Sequence, residues 1–257
     1  MSKVSKINRL AVLRHRLEVI ERGGRNARTV LPFGLGSIDK VLPGKGLELA
    51  TLHEVAGAGG EEEDGVLAAA FLAGILARLK PELPVLWCLS EGDLYAPGLA
   101  AFGLDPRRLI LVRAHRSQEV LWAMEEGLRS PALAAVVGEV DRLSLPASRR
   151  LLLTAEASGV TGFALRRWQT GKAAAAQRLA PNAAHTRWRV EALPGDVVAD
   201  EPGVGRACWR VELWRCRGGV TASWVMEACD ATGHLALPAA LAERPAAADE
   251  ARILRAG

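Results

Sequence analysis

The chain predicts an α/β fold: a mostly parallel, twisted sheet covered by helices on both faces, continued by antiparallel strands toward the C-terminal end. Three observations predict it. Between residues 47 and 165, short and almost wholly apolar runs alternate with helix-length stretches, which is how strands buried on both faces read. Beyond residue 184 the texture changes to period-two alternation in three successive runs, as in strands with one polar face. Finally, 257 residues with 49% hydrophobic and 24% charged side chains suffice for one large core with modest appendages.

In chain order, residues 1–30 read as a basic amphipathic helix. Lys3, Lys6, Arg9, Arg14, Arg16, Arg22, Arg25 and Arg28 outweigh Glu18 and Glu21, while Ile7, Leu10, Leu13, Leu17 and Ile20 recur at three- or four-residue spacing. Such a stripe must cover something, either its own domain or a partner, and its basic side suits nucleic acid or an acidic protein. Gly34, Gly36, Pro43, Gly44 and Gly46 then punctuate a linker into residues 47–55, the expected first core strand. A helix over 64–79, a strand over 85–89, a short helix over 97–102 and a strand over 109–112 follow. Next come a helix over 117–129, a strand over 133–137, a helix over 146–158 and a strand over 160–165.

The polar, basic stretch 168–183 leads to three strands over 185–193, 207–217 and 221–229. Trp188-Arg189-Val190-Glu191 returns as Trp209-Arg210-Val211-Glu212, so the first two of these strands are expected to be neighbours that bury Trp and Val and expose a salt-bridged Arg/Glu face. Residues 31–237 thus form the predicted core, and the Ala-rich 238–257 a tail.

Several classes are excluded at this level. No apolar run approaches the roughly 18 residues of a membrane span, and the segment from Met1 to Lys6 leads into no apolar signal core, so a cytoplasmic protein without membrane contact is expected. Cys88, Cys208, Cys216 and Cys229 show no C-x-x-C spacing and read as buried thiols within strands. His53 and His115 have no second ligand at metal spacing, so neither a metal nor another cofactor is expected.

The most informative residues lie where the first core strand meets the next helix. A phosphate-binding loop, G-x-x-x-x-G-K-[ST], cradles phosphates with backbone N–H groups, reaches them with a Lys and holds Mg²⁺ with a hydroxyl. Here Gly57, Gly59 and Gly60 remain, but counting from Gly57 the Lys position is Glu63 and the hydroxyl position Asp64. At about 4 Å and an effective dielectric near 20, one such contact is worth roughly 4 kcal/mol, and reversing its sign costs a similar amount. A micromolar ligand has only about 8 kcal/mol in total.

Around this loop the chain resembles the RecA core. Leu35-Gly36-Ser37-Ile38-Asp39-Lys40-Val41-Leu42, followed by Gly44, Gly46 and Leu47, looks like the RecA-type lead-in to its first strand. Ser90-Glu91 falls where RecA proteins place their catalytic Glu, and Gly103-Leu104-Asp105 before Leu109-Ile110 resembles the turn after it. The strand that should end in a metal-binding Asp instead runs Ala134-Ala135-Val136-Val137 into Gly138, with Glu139 one residue late. The resemblance therefore implies a degenerate nucleotide site at Gly57, Gly59, Gly60, Glu63, Asp64, Glu91 and Gly138, with no ATP hydrolysis: a base at Glu91 has no anchored phosphate to send water against. It also implies DNA-contacting loops at 140–145 and 168–183. The second is flanked by Arg166 and Arg167 and contains Lys172 and Arg178, and these four suit weak, sequence-independent contact with phosphates; a solvated loop is the competing reading.

The erased loop, the short C-terminal part, Leu52-His53-Glu54-Val55 and Ala184-His185-Thr186-Arg187-Trp188-Arg189-Val190 together resemble the ImuA family, a RecA-like group also labelled SulA-like. That resemblance implies a non-catalytic accessory of SOS mutagenesis and translesion DNA synthesis. Its implied partners are ImuB and a second replicative-type DNA polymerase, with RecA a further candidate. Ile7, Leu10, Leu13 and Leu17 are its candidate partner-binding residues, because RecA proteins dock through an N-terminal segment. An active recombination ATPase and a SulA-like cell-division inhibitor stay open as alternatives, the latter without any residue pattern specific to it.

Overall fold

The computed structural model describes residues 29–59, 61–90, 94–167, 180–194 and 207–238. The expected N-terminal helix, with Ile7, Leu10, Leu13 and Leu17, lies outside the described residues, as does the tail beyond Pro238.

The lead-in is a small cap. β1 (Val30–Leu31) pairs antiparallel with β2 (Leu47–Glu48), and between them α1 (Gly36–Asp39) makes a single turn. Asp39 closes this unit by accepting from the Phe33 and Gly34 amides at 2.8 and 3.0 Å. The expected first core strand, 47–55, is in fact two strands. Ala50 adopts a left-handed φ of 55°, a conformation costly for a residue with a side chain, and its amide is held by Thr161 Oγ1 at 3.0 Å. The kink leaves β2 with the cap and sends β3 (Leu52–Gly57) into the main sheet.

The remaining elements are α2 (Glu61–Arg78), β4 (Val85–Leu89), 3-10 helices at Ala96–Phe102 and Pro106–Arg108, β5 (Leu109–Arg113) and α3 (Ser117–Leu128). Then come β6 (Ala135–Val140), α4 (Leu145–Ser158), β7 (Thr161–Arg166), β8 (Thr186–Leu193), β9 (Cys208–Cys216) and β10 (Ala222–Glu227). The eight-stranded sheet has the order β10-β9-β8-β3-β7-β6-β4-β5. From β8 to β5 every pairing is parallel, whereas β9 runs antiparallel to both β8 and β10. Crossing helices on both faces make β3, β6 and β7 buried along their whole length.

Strand alternation divides the interior in two. Val55, Trp87, Val137, Phe163 and Trp188 pack with α2 on one face. Leu52, Cys88, Val136 and Ala164 pack with α3 and α4 on the other. The C-terminal end of α2 is closed by Arg108, whose guanidinium donates to the carbonyls of Leu76, Ala77, Leu79, Lys80 and Leu83. A cation at that end also suits the helix dipole.

The repeat pairs as its alternation requires. Val190 faces Val211 and Arg189 faces Glu212, while Glu191 faces Arg210 and forms an ion pair with it. Trp188, Val190, Trp209 and Val211 are buried. After β10 the turn around Gly233 is wedged into the older part of the fold. A β-carbon on Gly233 would meet the Gly74 carbonyl oxygen of α2 at 2.6 Å, and one on Gly103 would meet the Gly233 nitrogen at 2.6 Å. Among the cysteines, Cys88, Cys208 and Cys229 are buried as expected, but Cys216 is only half-buried and Cys229 lies just past β10. Burial pushes the Cys88 and Cys229 thiols up to about 12. No described helix is long and apolar enough to cross a membrane.

Candidate functional site

β3 delivers the glycine loop to the C-terminal edge of the sheet. It ends at Gly57, the Ala58 amide donates to the Val190 carbonyl of β8 at 2.9 Å, and α2 starts at Glu61. Glu63 and Asp64 are therefore in the first turn of α2 by their backbone, directly after Gly57 and Gly59. Gly60 and Glu91 lie outside the described residues.

The expected strand 133–137 is shifted: β6 runs through Gly138 and Glu139 to Val140, because its ladder with β7 continues through Glu139 opposite Leu165 and Val140 opposite Arg166. Gly138 faces α3, where a β-carbon would stand 2.0 Å from Met124 Sδ, so Met124 fills the space a larger residue would need. Glu139 points to the opposite face. There it accepts from Trp87 Nε1 at 2.7 Å and pairs with Arg167 at 3.6 Å, which is how a 3%-exposed carboxylate remains in a strand.

The basic residues divide. Arg166 was expected to contact DNA from the flank of the 168–183 loop, and the structure places it elsewhere: it is the last residue of β7, is 2% exposed, pairs with Glu54 at 3.6 Å and donates to the Asp141 carbonyl at 2.8 Å. Burial pulls its pKa below the usual guanidinium value, with Glu54 opposing. Arg167 is half-buried beside Glu139. Lys172 and Arg178 lie outside the described residues.

Sequence reasoning missed the charged centre that Arg166 joins. Glu54, in the middle of β3 and 2% exposed, also accepts from Arg187 Nε at 2.9 Å and from the Asn182 side-chain amide. Arg187 reaches on to the Ala180 carbonyl at 3.3 Å, Arg215 donates to the Asn182 carbonyl at 2.8 Å, and Ser148 of α4 accepts from the Ala183 amide at 2.9 Å. One carboxylate thus anchors the residues on both sides of segment 168–179. The signal was present: a Glu inside an apolar strand needs a buried cation. The Arg187 guanidinium also lies 4.6 Å from the Trp214 ring centroid, and that of Arg189 5.0 Å from it, adding cation–π attraction.

On the α2 face, beneath the cap, His53 is fully buried and neutral. Nε2 donates to the Glu48 carbonyl and Nδ1 accepts from the Thr186 hydroxyl, both at 2.7 Å. Its pKa is pushed down to about 3 by burial and by His185 nearby, with the Glu48 carbonyl opposing. An unfolded chain binds this proton below 6.5 and the native chain refuses it until about 3, so stability falls as pH falls through that window. Between pH 7 and pH 5 the loss from this one group should be about 2 kcal/mol. Urea denaturation at both values measures it, and His53→Gln should remove that part of the slope. Among the described residues no group of three His, Cys, Asp or Glu side chains could hold a metal ion.

Strand order, the glycine-rich strand-to-helix junction and the flanking helices define a protein with a RecA-like α/β core. No protein-family model matches the chain. It is 40% identical to Protein ImuA of Caulobacter vibrioides in strains NA1000 / CB15N and ATCC 19089 / CIP 103742 / CB 15, over 240 residues that cover 90% of this chain and 98% of that protein. The chain belongs to the ImuA family.

Proposed function

We propose that this chain is a non-hydrolysing RecA-like accessory of damage-induced mutagenesis, serving translesion DNA synthesis in the cytoplasm beside ImuB and a second replicative-type DNA polymerase. Membership of the ImuA family supports the setting. The observation that carries the non-catalytic part is the replacement of both chemically essential loop positions by Glu63 and Asp64, at a junction that still carries Gly57, Gly59 and Gly60. The loss of an acid at Gly138 and the engagement of Glu139 with Trp87 and Arg167 agree with it.

In this reading the core is kept for its surfaces. Ile7, Leu10, Leu13 and Leu17 form a docking stripe, RecA is a further partner, and Arg167, Lys172 and Arg178 supply weak contact with DNA phosphates without Arg166. Titration with a fluorescent ATP analogue tests the central point: no saturable binding is expected up to millimolar concentrations. Micromolar binding that is lost on Gly59→Val would instead identify an active nucleotide site. Co-purification with ImuB from cells after DNA damage tests the partnership, and filamentation on overproduction with damage-induced mutation intact would point to a division inhibitor.

A further inference from the structure

A continuous chain of polar groups crosses five neighbouring strands of the main sheet. It starts where α3 begins, with Ser117 Oγ donating to the Asp141 carboxylate at 2.7 Å. Asp141 directly follows β6, and its carbonyl accepts from Arg166 at the end of β7. Arg166 pairs with Glu54 of β3, Glu54 pairs with Arg187 directly opposite it on β8, and the Asn182 side-chain amide donates to Glu54 as well. Arg215 of β9 closes the chain by donating to the Asn182 carbonyl at 2.8 Å. Glu54 and Arg166 share the alternation of Leu52 and Ala164, which pack with α3 and α4, so the chain runs on that side of the sheet. At about 4.8 Å per strand, it reaches roughly 19 Å from β6 to β9.

Two features set it apart from an ordinary ion pair. It holds backbone as well as side chains: guanidinium groups take the carbonyls of Asp141, where the chain leaves β6, and of Ala180 and Asn182, where it approaches β8. The amides beside them are fixed too, Ala183 by Ser148 Oγ at 2.9 Å and Ala184 by Asn182 Oδ1 at 3.0 Å. The central links are also withdrawn from water, with Glu54, Arg166 and Asn182 at 2% exposure and Arg187 at 5%. Apolar side chains of similar volume often give equal or greater stability in such a place, so stability alone does not call for these charges. What a satisfied polar network adds is a fixed direction and distance at every link.

We propose that this chain is a positional relay between residues 140–145 and residues 180–187, in which a displacement of either stretch shifts the other. Moving Asp141 takes an acceptor from Arg166, a shift of Arg166 takes countercharge from Glu54, and Glu54 holds both Arg187 and Asn182. Arg166 and Glu54 are thus positioning residues, and the coupling they carry is equal in both directions. The proposal does not depend on the accessory reading above.

Hydrogen exchange of single amides, followed by NMR on the full chain under native conditions, tests it from both ends. Ser117→Ala should speed exchange of the Ala183 and Ala184 amides about threefold. Arg215→Gln should do the same, again about threefold, to the Arg142 amide, which donates to Asp141 Oδ1, and to the Arg167 amide, which donates to the Val140 carbonyl. Ile75→Val, a change of comparable cost in the α2-side core, should leave all four amides as they are. In an Arg166→Met chain, Ser117→Ala should no longer act on Ala183 and Ala184; if that chain does not fold, the two end variants decide alone. Unchanged exchange in both end variants would overturn the relay, as would an effect in one direction only, an equal acceleration by Ile75→Val, or a Ser117→Ala effect that survives Arg166→Met.

Discussion

A Gly138→Asp chain should lose about 4 kcal/mol of stability and gain no binding of Mg²⁺-nucleotide, although the change writes back the acid that RecA-like sites carry. The reason is the wall opposite. A β-carbon at 138 would stand 2.0 Å from Met124 Sδ and 2.5 Å from Met124 Cγ, and Met124 is fully buried in the α3-side core. Moving Met124 aside accounts for roughly half of the cost by overpacking, and a carboxyl group with no donor in an apolar cluster for the rest. Gly138→Ala isolates the first part and should cost about 2 kcal/mol. Met124→Ala should cost less in the Gly138→Ala background than alone, because the new methyl enters part of the space the thioether leaves. Urea denaturation reads the stabilities and calorimetric titration with Mg²⁺-ATP reads the binding. A Gly138→Asp chain as stable as the parent would show that the wall yields.

The second large effect is expected at Glu54. Glu54→Gln keeps the shape but removes the anion shared by Arg166 and Arg187, leaving two guanidinium groups buried at 2% and 5% exposure. Breaking one partner from such a buried group costs about 3 to 5 kcal/mol, mostly from the charge left behind. The double variant Glu54→Gln with Arg187→Gln should therefore be less unstable than the sum of its single changes, by at least about 1 kcal/mol in a double-mutant cycle. Strict additivity would mean that the two residues do not share a network. Because Arg187 also holds the Ala180 carbonyl, Glu54→Gln should speed proteolytic cleavage within residues 168–179 as well.

How far the sequence carried can be judged from these same residues. The parallel part of the sheet was legible because runs such as Val85–Leu89 are apolar throughout, and the antiparallel part because Trp188 and Trp209 begin matching alternations. Ala50 was not legible, since an alanine in a left-handed turn leaves no compositional trace and is held there by Thr161, 111 residues away. The end of β6 was misplaced because a glutamate reads as leaving the core until Trp87 and Arg167 are seen to receive it. Arg166 failed in the same way. An arginine that closes an apolar run looks like a surface residue, and only the pairing of β3 with β7 reveals the anion beside it. The glycine loop differs: its residue types alone stated what chemistry had gone, while strand order was needed to say which loop it was.

The wedge at Gly233 bears on how the chain is made. It sits between α2 and the end of the 3-10 helix Ala96–Phe102, two elements that leave the ribosome more than half the chain earlier. Cys229, just before that turn, fills the hollow at Gly74. In a growing chain the α2 side of the interior therefore lacks this wedge until the turn at Gly233 has been made. A product cut short before residue 229 lacks the residues that fill the hollow at Gly74, and cell proteases should clear it faster than the chain that carries them.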